Sequence, residues 1–218
     1  MRDTKELFEK TMIFATENAG KMHEIRQIML GCGWTILSAK EAGITMDVEE
    51  TGMSFAENAL QKARFAAKQI QTNKAFFEKR QNVLIVADDS GLEIDALNKE
   101  PGIYSARYMG EKTSYEIKNA NLLERMKDVA TSQRTARFVC AIAAVMVNGE
   151  EQVFVETIEG MIANEPRGEN GFGYDPIFWL QEYAMTSAQL SEEHKNEISH
   201  RAKALRKLRE SLRIEEKV

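Results

Sequence analysis

Cysteine, proline and histidine are all scarce in this chain: 2, 3 and 3 among 218 residues. The two cysteines, Cys32 and Cys140, stand far apart and outside any Cys-x-x-Cys. They are too few for a disulfide scaffold or a cysteine-based zinc site, and both read as buried thiols in a reducing compartment. His23, His194 and His200 lack the spacing of a zinc-binding helix. With so little proline, and 13 glycines scattered through the chain, no Pro/Ser-rich linker, repeat or low-complexity tract divides it. One domain is expected over residues 11–218, with residues 1–10 as a polar N-terminal extension. Residues 1–6 have no apolar core of the kind a signal peptide needs. The longest apolar run, 138–147, is too short to cross a bilayer. Positive charge is not in excess either: 29 Lys and Arg against 34 Asp and Glu give −5, which argues against generic nucleic-acid binding. A cytoplasmic protein with no nucleic-acid or membrane partner is expected.

What is present is an alternation of strand and helix signals. Residues 12–15 read as a first buried strand and 34–37 as a second. Between them Met22, Ile25, Ile28 and Met29 share one helix face. Ser54 and Glu57 form a capping box, opening a helix whose stripe is Phe55, Ala59, Ala63, Ala66 and Ile70. Residues 73–82 are polar with an aromatic pair and extend or fray that helix. The clearest buried strand is 83–87. Thr113 and Glu116 form a second capping box, for a helix to about Lys127. Residues 134–147 and 150–162 flank Asn148-Gly149, a pair suited to a type I′ hairpin turn. A short strand follows at 177–179, then an amphipathic helix through Ile198, Ala202, Leu205, Leu208 and Leu212. The class is α/β with a mixed central sheet.

Five constellations carry chemistry. Thr16, Glu17, Asn18, Ala19, Gly20 and Lys21 lie between a strand and a helix, where free N–H groups and the helix dipole favour a phosphate. The segment is not a Walker A loop, since Ala15 and Met22 occupy positions that motif fills with Gly and Ser/Thr; a plainly capped helix is the alternative. Asp47, Glu49 and Glu50 precede the second helix, either as a solvated turn or as magnesium ligands, and Asn58 and Lys62 share a face of that helix. Asp88, Asp89 and Ser90 follow the most apolar strand, where open α/β sheets bind ligands. A carboxylate there can hold a metal or deprotonate water. Gly171, Phe172, Gly173, Tyr174 and Asp175 offer an adaptable loop with aromatic faces that stack on bases. Lys195, His200 and Arg201 open a basic stretch set against the overall sign of the chain.

In their order along the chain, Ala87-Asp-Asp-Ser-Gly-Leu92, Pro101-Gly-Ile-Tyr-Ser-Ala-Arg107-Tyr108, Gly171-Phe-Gly-Tyr-Asp-Pro-Ile-Phe178 and Ser199-His200-Arg201 closely resemble the inosine/xanthosine triphosphate pyrophosphatase family. The resemblance spans about Met12 to Leu212. It implies an elongated mixed β-sheet flanked by helices, two lobes around a nucleotide cleft, and a homodimer. It further implies hydrolysis of ITP, dITP or XTP to the monophosphate and pyrophosphate, with Mg²⁺ as cofactor. On that reading Thr16 to Lys21 hold the triphosphate with help from Lys62, Asp89 is the water-activating base and a magnesium contact, and Ser90 touches substrate. Glu49 or Glu50 supplies the other magnesium carboxylate, the register between them staying open. Phe172, Gly173, Tyr174, Asp175, Lys195, His200 and Arg201 surround the purine and sugar, with Arg201 among the donors aimed at purine O6. The chain departs from the family at Glu17, where Gly is usual, at Asn98-Lys99 for a common Gly-Gly, at Ala202 for a common Gly, and in a slightly longer stretch over 73–82. Two other readings are a septum-associated type of pyrophosphatase acting on modified pyrimidine triphosphates or dTTP, and a nucleotide-binding module without turnover.

Overall fold

The computed structural model describes residues 10–77, 80 and 82–215; the expected extension lies outside them except for Lys10. The elements, in chain order, are β1 (Thr11–Phe14), α1 (Ala19–Ile28), β2 (Thr35–Ser38), α2 (Phe55–Gln71), α3 (Lys74–Phe77), β3 (Val83–Ile94), α4 (Tyr115–Arg125), β4 (Thr135–Met146), β5 (Glu151–Ile162), β6 (Phe178–Leu180), β7 (Met185–Thr186), α5 (Glu192–Ile198) and α6 (His200–Glu215). The strands make one seven-stranded sheet in the order β2-β1-β3-β4-β5-β6-β7. β1 runs parallel to β2 and β3, and every later pairing is antiparallel. The sheet is mixed, as the sequence indicates.

The period-two alternation of β1 assigns the faces. Ile13 joins α2's Ala59, Ala63, Ala66 and Ile70 on one side of the sheet. Met12 and Phe14 join Met22 and Ile25 of α1 and Leu205, Leu208 and Leu212 of α6 on the other. Three alanines in the α2 stripe let that helix lie close on the sheet. A third cluster, with Leu92, Ile94, Leu122, Met126, Phe138 and Phe178, fills the far end of β3 and β4. β3 therefore gives residues 83–87 to the first two clusters and Leu92 and Ile94 to the third. Asp88 to Gly91 belong to none of them, so the functional segment lies where the apolar lobes part.

Several local expectations are corrected. β3 does not stop at Ala87: antiparallel pairing with β4 continues to Ile94↔Ala136 and satisfies its backbone. Only the parallel pairing with β1 ends early, at Phe14↔Val86, so the aspartates stand past the end of β1 but inside β3. The β4–β5 hairpin is not type I′. Of its Asn-Gly pair only Gly149 has positive φ (93°), and its N–H reaches Met146 O, the pattern of a three-residue loop ending in a left-handed glycine. At α2, Ser54 caps Glu57 N, but Glu57 answers to Met53 N rather than to the cap. At α4 a single cap replaces the expected box: Ser114 Oγ accepts from Ile117 N, and Thr113 Oγ1 donates to Met109 O. The last amphipathic run is split at Ser199, whose extended backbone ends α5 and whose Oγ caps Ala202 N of α6. The polar stretch after α2 contains the separate turn α3 rather than a continuation, with residues 78, 79 and 81 outside the described ones. Cys140 is buried, whereas Cys32 is partly exposed. Asn98 and Lys99 both hold left-handed φ, 52° and 70°, a conformation that suits glycine better.

Candidate active site

A cavity of about 290 Å³ opens between the lobes. Its floor is the segment from Asp88 to Gly91, and alternation along β3 splits the chemistry between the two sheet faces. Asp88 and Ser90 face α1 and α6, where Ser90 Oγ donates to Asp88 Oδ1 at 2.9 Å. Asp89 and Gly91 face α2 and the 102–108 segment. A Cβ on Gly91 would overlap Ser105 Oγ and the Gly102 carbonyl, so this strand accepts only glycine there.

One wall is the β1–α1 turn. Thr16 Oγ1 accepts from Asn18 N (3.2 Å), and Asn18 Oδ1 caps α1 by accepting from Lys21 N (3.0 Å). Gly20 lets this helix end approach the base-side wall, since a Cβ would stand 3.1 Å from Phe172. Thr16, Glu17, Asn18 and Lys21 line the cavity; Ala19, Gly20 and Glu49 do not. Glu17 is exposed, and its carboxylate accepts from Met46 N at 3.5 Å.

Asp88 is wholly buried and saturated with donors. Lys21 and Ser90 donate to Oδ1; Arg201 Nε (2.9 Å) and Cys140 Sγ (3.2 Å) donate to Oδ2. Burial alone would raise its pKa, but Arg201 and Lys21 hold it well below the usual carboxylate range. Arg201 is equally engaged: its other nitrogens donate to Glu24 and, at 2.9 Å, to Ser90 Oγ. Its guanidinium is thus anchored by protein groups while it still borders the cavity, 5.7 Å from the Phe172 ring centroid. Glu24 also accepts from Lys195 at 2.8 Å, and the two cations lower its pKa against the effect of burial.

Asp89 is held more loosely. Lys62 donates to Oδ1 at 2.7 Å, and Asn58 lies 3.4 Å from Oδ2. Burial outweighs the nearby lysines, so its pKa is raised. Lys62 is shared with Glu50, 2.8 Å away, and Glu50 also takes Arg107 at 2.6 Å. Of the adjacent acids, then, Glu50 reaches the site and Glu49 remains exposed. Among the described residues no cluster of three or more His, Cys, Asp or Glu side chains forms a metal cage. Two carboxylates converging on one cation still suit Mg²⁺, which takes one or two carboxylates and fills its remaining positions with water and phosphate.

The base-side wall is Phe172, Gly173 and Tyr174, with Lys195 5.1 Å from the Phe172 ring centroid. Asp175 organises this loop rather than lying open to it: it accepts from Phe172 N (2.8 Å), Ser187 Oγ (2.9 Å) and Lys195 (2.5 Å). His200 stacks on Phe138 at 5.0 Å, and its buried Nδ1 has no partner among the described residues. Burial, reinforced by Arg201, keeps it neutral.

Glu24, Asn58, Ser105, Arg107 and Cys140 were not assigned roles from the sequence. Glu24 carries a faint signal, one turn after Lys21 on the same helix. Asn58 pairs with Lys62 at i,i+4. Cys140 needs the β3–β4 register and has no sequence signal.

Residues 12–211 match the Ham1 family. The chain is 46% identical over 200 residues to the dITP/XTP pyrophosphatase of Bacillus subtilis, covering 91% of this chain and 95% of that one. It is 43% identical over 204 residues to the enzyme of the same name from Clostridium perfringens, covering 94% and 98%. Among solved structures, the Ham1 protein of Staphylococcus aureus superposes with a TM-score of 0.80 at 42% identity, covering 94% of this chain and all of that one. The chain belongs to the Ham1 family.

Proposed function

We propose that this chain hydrolyses non-canonical purine nucleoside triphosphates, dITP, ITP and XTP, to the monophosphate and pyrophosphate. The observation that carries the reading is the convergence, in one cavity, of a helix-capping phosphate turn with Lys21, the Lys62-bridged pair Asp89 and Glu50, and an aromatic wall at Phe172. Relatives that align over nine-tenths of the chain are named for this activity, which favours it over a pyrimidine-directed enzyme or a silent binding module.

Phosphoryl transfer needs positioning and charge neutralisation more than covalent help from the protein. Lys21 and the α1 N-terminus offer positive charge to the phosphates. Asp89 has the makings of a general base: it is a carboxylate at the cavity floor, oriented by Lys62 and Asn58. Lys62 holds it in place and cancels charge beside it. Glu50 and Asp89 would hold Mg²⁺, which when bound neutralises phosphate oxygens. At the base end, neutral His200 has no partner for Nδ1 among the described residues. A 6-keto purine presents an acceptor at O6 where adenine presents a donor, so this nitrogen favours the former in the tautomer that protonates it. A cytoplasmic homodimer is part of the same proposal, supported by the family resemblance; sedimentation at micromolar concentration tests the dimer.

The test is release of pyrophosphate from dITP, XTP and ATP, with and without Mg²⁺. The expected result is pyrophosphate, Mg²⁺-dependent, with ATP the poorest purine. Release of orthophosphate alone, or equal rates on ATP and dITP, would overturn the reading.

A further inference from the structure

α4 breaks the rule that a helix stripe facing a core is apolar. Its inward positions are Tyr115, Lys118, Asn119, Leu122 and Met126, in the i, i+3, i+4, i+7 series continued by the C-cap. Leu122 and Met126 enter the far-lobe core as expected. Lys118, 1% exposed, and Asn119, 6% exposed, do not belong there by composition. Lys118 is a buried ammonium with no carboxylate partner among the described residues. Its hydrogen bond goes to the Ala106 carbonyl at 2.6 Å, and the Tyr115 ring lies 4.8 Å away. Such burial without an ion pair is costly, and it lowers the lysine's pKa. Asn119 Nδ2 donates to the Gly173 carbonyl at 3.1 Å, while its Oδ1 is buried without a partner.

The two acceptors are informative. Ala106 and Gly173 lie on different walls of the cavity, on segments 67 residues apart. Two further contacts tie α4 and these walls together. Tyr115 meets Tyr174 edge-on at 5.2 Å, and Tyr174 Oη donates to the Ser105 carbonyl at 2.7 Å. Gly173, at φ 70°, has no side chain to wedge it against a neighbour. The Asn119 bond engages its main-chain carbonyl.

We propose that Lys118 and Asn119 are positioning residues, a clamp on α4 that fixes the spacing between the 105–106 wall and the 173–174 wall and so sets the fit of the nucleoside. The inference rests on the proposed nucleotide site and deepens it. The clamp acts through main-chain carbonyls and touches no reacting atom. It governs the nucleoside end of the cavity and leaves the Lys21–Lys62 phosphate end alone.

The experiment measures binding of inosine monophosphate and of inorganic tripolyphosphate by calorimetry to the wild-type chain, Lys118→Met and Asn119→Ala, with melting temperatures and the KM and kcat for dITP. Met retains the length and removes the donor; Ala at 119 gives a second, smaller change should the first fold poorly. The clamp predicts that monophosphate binding weakens about tenfold in each variant, the typical loss for one buried hydrogen bond, with tripolyphosphate binding within about twofold and KM rising more than kcat falls. Removing an unpaired buried charge leaves the Lys118→Met melting temperature near or above that of the wild type. A merely structural role would lower melting temperature and leave both affinities alone; that result, or equal weakening for both ligands, overturns the clamp. Because the clamp is judged on affinity, a wild-type chain that binds the monophosphate yet releases no pyrophosphate would count against the proposed hydrolysis and not against this inference.

Discussion

Asp88 and Asp89 are adjacent in sequence and opposite in circumstance. The α1/α6 side of β3 surrounds Asp88 with Lys21, Arg201, Ser90 and Cys140, so that four donors converge on the carboxylate and hold it in its charged form. The α2 side gives Asp89 one lysine, shared with Glu50, and one long contact from Asn58. Burial there raises the pKa instead of being overcome. One-residue alternation in a strand thus separates a carboxylate paired with two cations from one that shares a single lysine. Identity of side chain and closeness in sequence say little about role; the number of cations per carboxylate says more.

The comparison is broken most sharply by removing each charge in turn. Asp88→Asn leaves Lys21 and Arg201 short of a counter-charge in a closed environment. Breaking a buried pair in this way costs about 3–5 kcal/mol, read as a lower urea midpoint. An unchanged midpoint would show that Glu24 alone satisfies Arg201. Asp89→Asn is expected to do the reverse: near-native stability, with turnover of dITP down at least about 10²-fold, the scale of a general-base contribution. If Asp88→Asn folded normally and lost more turnover than Asp89→Asn, the roles would have to be exchanged.

A titration sharpens the same contrast. Asp88, with its pKa lowered, adds stability that is fully present above the ordinary aspartate value and is lost as pH falls through its folded pKa. Asp89 has the opposite sign: stability falls as pH rises from the ordinary value through its raised folded pKa. Glu50 contributes to that rise through like charge. Glu50→Gln removes this charge and leaves Lys62 to Asp89, so the Asp89 pKa should fall. Carbon-13 NMR titration of the metal-free protein reads it directly, and a pKa that stays put would make burial the whole cause.

Much of this was legible in the sequence because it rests on local pattern. The α2 stripe, the β4–β5 hairpin, the Ser54 cap and the Asp-Asp-Ser-Gly segment are read from spacings of two, three and four residues. What was not legible depends on partners distant in the chain. Nothing near Arg201 announces that its guanidinium is anchored on Asp88 and Glu24, 113 and 177 residues away. The choice between Glu49 and Glu50 likewise awaits Lys62 and Arg107, which reach only the second. The continuation of β3 past Ala87 hides behind the charge of its aspartates, because β4 satisfies the backbone whatever the side chains are. The off-register α4 cap shows the limit of motif matching where two hydroxyl residues, Thr113 and Ser114, are adjacent.

Glu17 tests the comparison at its margin. It lines the cavity from the β1–α1 turn, at a position where the family resemblance implies Gly, and its exposed carboxylate accepts from Met46 N at 3.5 Å. Unlike Asp88 it has no buried cation, and unlike Asp89 it is not desolvated, so its influence on a triphosphate is a solvent-screened repulsion. Glu17→Gln keeps the length and one acceptor while removing the charge. KM for dITP should fall by about two- to threefold at low ionic strength, and the difference should fade as salt shortens the Debye length toward ~8 Å, with kcat unchanged. Steady-state kinetics across a salt series decides it. A gain that persists at high salt would mean that Glu17 meets the substrate directly, without screening by solvent; a rise in KM would mean that its bond to Met46 N, more than its charge, shapes the β1–α1 turn.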